Sequence, residues 1–160
     1  MRSKKFSVLA VLLVLLCAAI LFWRNQSNGQ SAEAAEDEIA LQIKLDTKED
    51  FGLLLIDYQD ANGTGGRGGI SNADKSLLKH DDQLFFTLPK YAFDNPSDAE
   101  NLSIQFTVIT EYVDPNFEEI YPEEYKIPMD AISLKANFGE SCSIIISGDM
   151  TNGYKAVLEE

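Results

Sequence analysis

Histidine, tryptophan and cysteine are nearly absent from this 160-residue chain, and each scarcity removes a kind of chemistry. His80 is the single histidine, so no histidine-rich metal site can form, and a Ser-His-Asp triad has one possible member at its centre. It sits in the polar run Lys79-His80-Asp81-Asp82, which reads as a solvated turn before a strand. Of the two cysteines, Cys17 lies inside an apolar run, leaving Cys142 alone in the body without an intramolecular disulfide partner. Cys142 reads as a small hydrophobe within a strand. Positive charge is scarce where it would matter most. After position 24, nine basic residues face 26 acidic ones, a net of −17. A field of that sign repels phosphate backbones and anionic headgroups, which excludes nucleic acid as a partner.

Two motifs also fail for missing parts. Gly63-Thr-Gly65-Gly-Arg-Gly68 matches G-x-G-x-x-G, yet a dinucleotide site needs a long helix and a βαβ unit, and a short polar stretch follows instead. The segment reads as a flexible glycine-rich hairpin loop. Asp60, Asn62, Thr64 and Gly65 imitate the first half of an EF-hand loop, but Arg67 and Ser71 stand where an apolar residue and the bidentate Glu belong. No cofactor or metal is expected. Carboxylates are too numerous for a glycosidase-like pair to be chosen by spacing. With no catalytic set assembled, the chain is not expected to be an enzyme.

What is present begins with a long apolar run. Arg2, Lys4 and Lys5 precede 18 uncharged residues from Phe6 to Trp23, and Arg24 closes them. As a helix this run rises about 27 Å, close to the roughly 30 Å hydrocarbon core. Three positive side chains before it and one after predict a single-pass anchor with the C-terminal body outside. Cleavage after Ala34 is the alternative, and would release a secreted body. The chain therefore divides into a membrane anchor or signal segment (1–24), a flexible stalk of small polar residues (25–37) and an extracytoplasmic domain (38–160).

In the body the apolar period is two. Ile39, Leu41, Ile43 and Leu45 alternate with polar partners, as do Leu102, Ile104, Phe106, Val108, Thr110 and Tyr112, and then Ile132, Leu134, Ala136 and Phe138. Residues 51–58 and 142–146 are nearly continuous apolar runs, as expected of central strands; 84–88 and 154–158 are shorter candidates. Phe138-Gly139-Glu140 suggests a hairpin joining 131–138 to 141–147, and Asn152-Gly153 turns the chain into 154–158. Asp114-Pro115 predicts a brief helical turn, stopped by Pro122. Seven strands in this span predict an all-β, two-layer antiparallel sandwich of immunoglobulin-like architecture.

The stretch from Glu111 to Tyr125 sets Tyr112, Phe117, Tyr121 and Tyr125 among carboxylates and prolines. Exposed, these aromatics would stack on sugar rings or grip a basic peptide; buried, they would form a lid over the core. The anchor, stalk and sandwich suggest a non-enzymatic binding or structural module contacting another envelope protein. A glycan-binding module using this loop, or a hydrolase with a carboxylate-only site, are the alternatives. Ser71-Asn72-Ala73-Asp74, Phe138-Gly139, Ser147-Gly148-Asp149 and Asn152-Gly153-Tyr154-Lys155-Ala156 together resemble a group of small, N-terminally anchored bacterial envelope proteins of unknown function. That resemblance implies a bacterial, envelope-facing setting and no activity.

Overall fold

The computed structural model describes residues 34–94, 96–97, 99–111 and 121–159. The expected anchor at residues 6–23, the helical turn at Asp114-Pro115, and Tyr112 and Phe117 lie outside the described residues. Among the described residues no helix is long and apolar enough to cross a membrane.

Residues of alternating polarity bury one face of a strand, and two such faces close a core. Here they do so as a two-sheet sandwich. One sheet, called A, has the order β4-β1-β8-β9: β1 (Glu38–Thr47), β4 (Gln83–Pro89), β8 (Ser141–Asp149) and β9 (Gly153–Leu158). The other, C, has the order β3-β2-β5-β6: β2 (Leu53–Gln59), β3 (Gly65–Ile70), β5 (Ala99–Ile109) and β6 (Lys126–Pro128), with β7 (Ile132–Asn137) also on β5. β6 and β7 lie end to end on one edge of β5, and Met129 N–H donates to the Phe106 carbonyl between them.

The core lies between the sheets. Leu41, Ile43 and Leu45 of β1 with Ile144 and Ile146 of β8 meet Leu54 and Ile56 of β2, with Ile104, Phe106 and Val108 of β5. All are essentially inaccessible to water. Burying each aliphatic side chain contributes roughly 1.5–3 kcal/mol, which outweighs any single surface contact in the domain. As the continuous apolar runs suggested, β2 and β8 are both interior strands.

Three expectations require correction. First, the sandwich is not wholly antiparallel: β1 and β8 pair in parallel, Ala40 opposite Ser141 through Thr47 opposite Gly148. Local alternation carries no information about the direction of a partner about 100 residues away in sequence. Second, residues 131–138 and 141–147 do not form a hairpin. β7 pairs with β5 in sheet C, whereas β8 pairs with β1 and β9 in sheet A. The tight turn at Gly139, with φ of 89°, carries the chain from one sheet to the other. There Gly139 N–H donates to the Glu38 carbonyl and Ala40 N–H to that of Glu140, so hydrogen bonds to β1 replace those a hairpin would supply. The β8–β9 hairpin does form, through Asn152-Gly153.

Third, the glycine-rich segment is mostly strand. Its turn is residues 60–64, and Gly65–Ile70 form β3, antiparallel to β2. Glycine weakens a strand unless something needs the space. At Gly68 something does: a Cβ there would lie 2.4 Å from the ring of Phe86, which reaches over from β4 of the opposite sheet. At Gly65 a Cβ would lie 1.9 Å from the Tyr58 carbonyl oxygen.

Candidate functional site

The outer face of sheet C follows from its inner one. Because Leu54, Ile56 and Tyr58 are in the core, Leu53, Leu55, Asp57 and Gln59 point outward. Register then places residues side by side across three strands. Arg67 of β3 is opposite Asp57 of β2, which is opposite Gln105 of β5. The next row outward is Gly65, Gln59 and Ser103; on the other side it is Gly69, Leu55 and Thr107.

These rows form two adjoining halves. The polar half is an open concavity of about 500 Å³, lined by Asp57, Gln59, Arg67, Ser103 and Gln105 with glycine backbone beside them. The apolar half holds Leu53 and Leu55 with Ile109, and Tyr121 and Tyr125 pack against them. Arg67 lines both halves, and Tyr121 lines the apolar one. Two of the four aromatics singled out by sequence thus meet here. They cover a small satellite cluster on the outside of sheet C rather than one end of the sandwich core, and both remain partly accessible.

Within the polar half, Arg67 grips Asp57 with two hydrogen bonds, Nε to Oδ1 at 2.6 Å and Nη2 to Oδ2 at 3.2 Å. This planar, bidentate pairing fixes both side chains and balances their charges. Gln105 donates from Nε2 to the Met129 carbonyl at 3.0 Å. A carbonyl can only accept, so the amide must present its NH2 group there, leaving Oε1 to accept and the second N–H to donate. The groove therefore offers a fixed acceptor, an ion pair, a second amide and a hydroxyl on one surface. That set suits a ligand bearing many hydroxyl groups, each both donor and acceptor. A carboxylate-only hydrolase needs two carboxyl groups across one cleft. This groove brings one, Asp57, already paired.

The other residues considered from sequence have local duties. Asp60 is buried at the start of the β2–β3 turn, where Oδ1 accepts from the N–H groups of Asn62 and Thr64, both at 2.8 Å. Burial opposes its ionisation, but the hydrogen bonds from Thr64 and Asn62 outweigh it, so the carboxyl titrates below its usual range. The acid-Asn-Thr spacing that imitates a calcium loop is an Asx turn here. Among the described residues no group of three or more His, Cys, Asp and Glu is placed to hold a metal ion.

His80 lies on a loop, its Nδ1 3.0 Å from Asp50 Oδ1. Lys79 Nζ is 2.8 Å from the other oxygen. The hydrogen bond to Asp50 holds the imidazole pKa above its ordinary value, while Lys79 and then His80 hold the Asp50 carboxyl well below its own. Cys142 packs against the core from β8, and burial raises its thiol pKa, which disfavours the reactive thiolate.

Sequence reasoning missed Asp57, Gln59, Arg67, Ser103 and Gln105. The available signal was the polar pair Asp57 and Gln59 at the end of an apolar run and the polar alternation of Ser103, Gln105 and Thr107. It becomes a site only when β2, β3 and β5 are set in register.

No protein-family model matches the chain, and no curated protein matches its sequence. Among solved structures it is similar to pneumolysin at 9% identity and a TM-score of 0.33, over 76% of this chain and 23% of that one. The chain thus spans about a quarter of the pneumolysin chain, and so distant a likeness decides nothing about fold or function.

Proposed function

We propose that the chain is a membrane-anchored, extracytoplasmic, non-enzymatic binding module that takes a glycan on the outer face of sheet C. The observation that carries this reading is the row Arg67, Asp57 and Gln105, which sets fixed donors and acceptors beside a partly exposed tyrosine. Planar polar side chains that hydrogen-bond hydroxyls, next to an aromatic face, are what sugar recognition requires. The apolar run from Phe6 to Trp23 supports the anchor. The resemblance to small N-terminally anchored bacterial proteins supports an envelope setting, where glycans are at hand.

The test is retention of the full chain on immobilised cell-wall glycans, with Tyr121→Ala and Gln105→Ala as variants. Both should lose retention under conditions where circular dichroism shows them folded; Tyr121→Ala also uncovers part of the Leu53, Leu55 and Ile109 cluster and should unfold at a somewhat lower denaturant concentration. If the wild-type chain is not retained either, the glycan reading fails.

A second reading, contact with another envelope protein, is favoured by β3. Among the described residues it pairs with β2 alone, and four of its six residues are glycine, so it presents a backbone edge without lysine or proline. Such an edge can accept an extended segment from a partner. Crosslinking in intact cells from a reporter at Gly69 should then recover one defined protein; recovery of none sinks this alternative.

A further inference from the structure

We infer that the glycan taken by the polar groove is uncharged, a conclusion that rests on the glycan reading above and narrows it to a ligand class. Asp57 and Arg67, the two charged side chains lining the groove, are bound to each other through two hydrogen bonds and cancel. The other polar lining residues, Tyr58, Gln59, Ser103 and Gln105, are neutral.

The charges decide against an acidic sugar, because the one cation lining the groove, Arg67, is already paired with Asp57. Gln105 Oε1 is committed as an acceptor because its amide nitrogen is held by the Met129 carbonyl. Asp57 is opposite it across the pair of strands. A ligand hydroxyl can donate to either and accept from the amides and hydroxyl beside them, whereas a ligand carboxylate can only accept, and must do so next to the Asp57 carboxylate. The excess of acidic residues in the body adds a field of the same sign, felt over about 8 Å at physiological salt. An amino sugar fares little better, because its ammonium must approach a carboxylate already engaged by the Arg67 guanidinium.

The experiment uses the full chain in detergent on an array carrying neutral, amino and uronic-acid oligosaccharides, followed by calorimetric titration with the best binder of each class. Neutral oligosaccharides should bind at least about tenfold tighter than acidic ones. The Asp57→Asn variant removes the one carboxylate lining the groove, so the acidic class should gain affinity in it. Wild-type binding to acidic oligosaccharides as tight as to neutral ones, or no gain in Asp57→Asn, overturns the inference and leaves the glycan reading standing. If no class is retained, the glycan reading itself falls, and this inference falls with it.

Discussion

The outer faces of the two sheets are built from strands of similar length, yet they carry different surfaces. On sheet A the outward positions are Gln42 and Lys44 of β1, Gln83 and Thr87 of β4, Ser141 and Ser143 of β8, and Lys155 of β9, with Phe85, Ile145 and Val157 scattered among them. Its concavity, about 340 Å³, is lined by Gln42, Lys44, Asp81, Gln83, Ser143 and Glu159. Sheet C has an edge strand in which four of six residues are glycine, and the Tyr121 and Tyr125 side chains packed onto its outer face. The removal of Cβ atoms along β3 and the addition of tyrosines beside it create relief. A sandwich face becomes a site when its neighbours differ in height, and sheet C has that difference built into its sequence.

Substitutions on the inner and outer sides should separate core stability from surface duty. The largest effect is expected on the inner side of sheet C, where Ile56→Ala should lower unfolding free energy by about 2–5 kcal/mol in urea titration. Gly68→Val comes next: it drives a side chain into Phe86 and should cost about 1–3 kcal/mol, while Phe86→Ala in the same chain should recover part of the loss.

Between the outer faces, Leu55→Ala on sheet C should cost about 2 kcal/mol because Tyr121 and Tyr125 pack on its cluster. Val157→Ala on sheet A should stay within about 0.5 kcal/mol. Equal costs at these two positions would erase the distinction between the faces.

The smallest effect is a pH dependence where Asp50 meets His80 across two connections. The imidazole pKa is raised in the folded chain, so its contribution is complete below about pH 6.5 and is lost as pH rises through the native value. Asp50, Lys79 and Asp81 are the charged groups acting on it. The difference in urea midpoint between wild type and His80→Gln should therefore shrink from about pH 5.5 to about pH 8.5; a difference that grows over this range contradicts the assignment.

Much of the sandwich was legible because burial imposes a period of two. The alternation at Ile39–Leu45 and Leu102–Val108, and the apolar runs around Leu54 and Ile144, all became strands within a few residues of their expected ends. β3 was illegible because glycine has no side chain to alternate. Its reason for existing, the Phe86 ring, belongs to a strand in the other sheet. The false hairpin at Phe138–Glu140 shows a related limit: a short turn fixes where the chain reverses but not which strands will bond to it. Only Tyr121 and Tyr125 of the site were visible in advance, as aromatics in a long connection. The Arg67, Asp57 and Gln105 row brings together positions about 10 and 40 residues apart, and only register defines it.

The parallel pairing of β1 with β8 also has a mechanical meaning. β1 is the first strand after the proposed anchor and stalk, and it is hydrogen-bonded along both sides, to β4 and to β8. Tension arriving at Glu38 therefore runs along the strand and loads both ladders in shear, many bonds at once, instead of peeling them one by one. Pulling between Glu38 and Glu159 should first unzip β9 from the far side of β8 at low force, then meet a higher rupture force at β1. If the proposed anchor puts the chain under load, this arrangement keeps sheet C folded while β9 yields first.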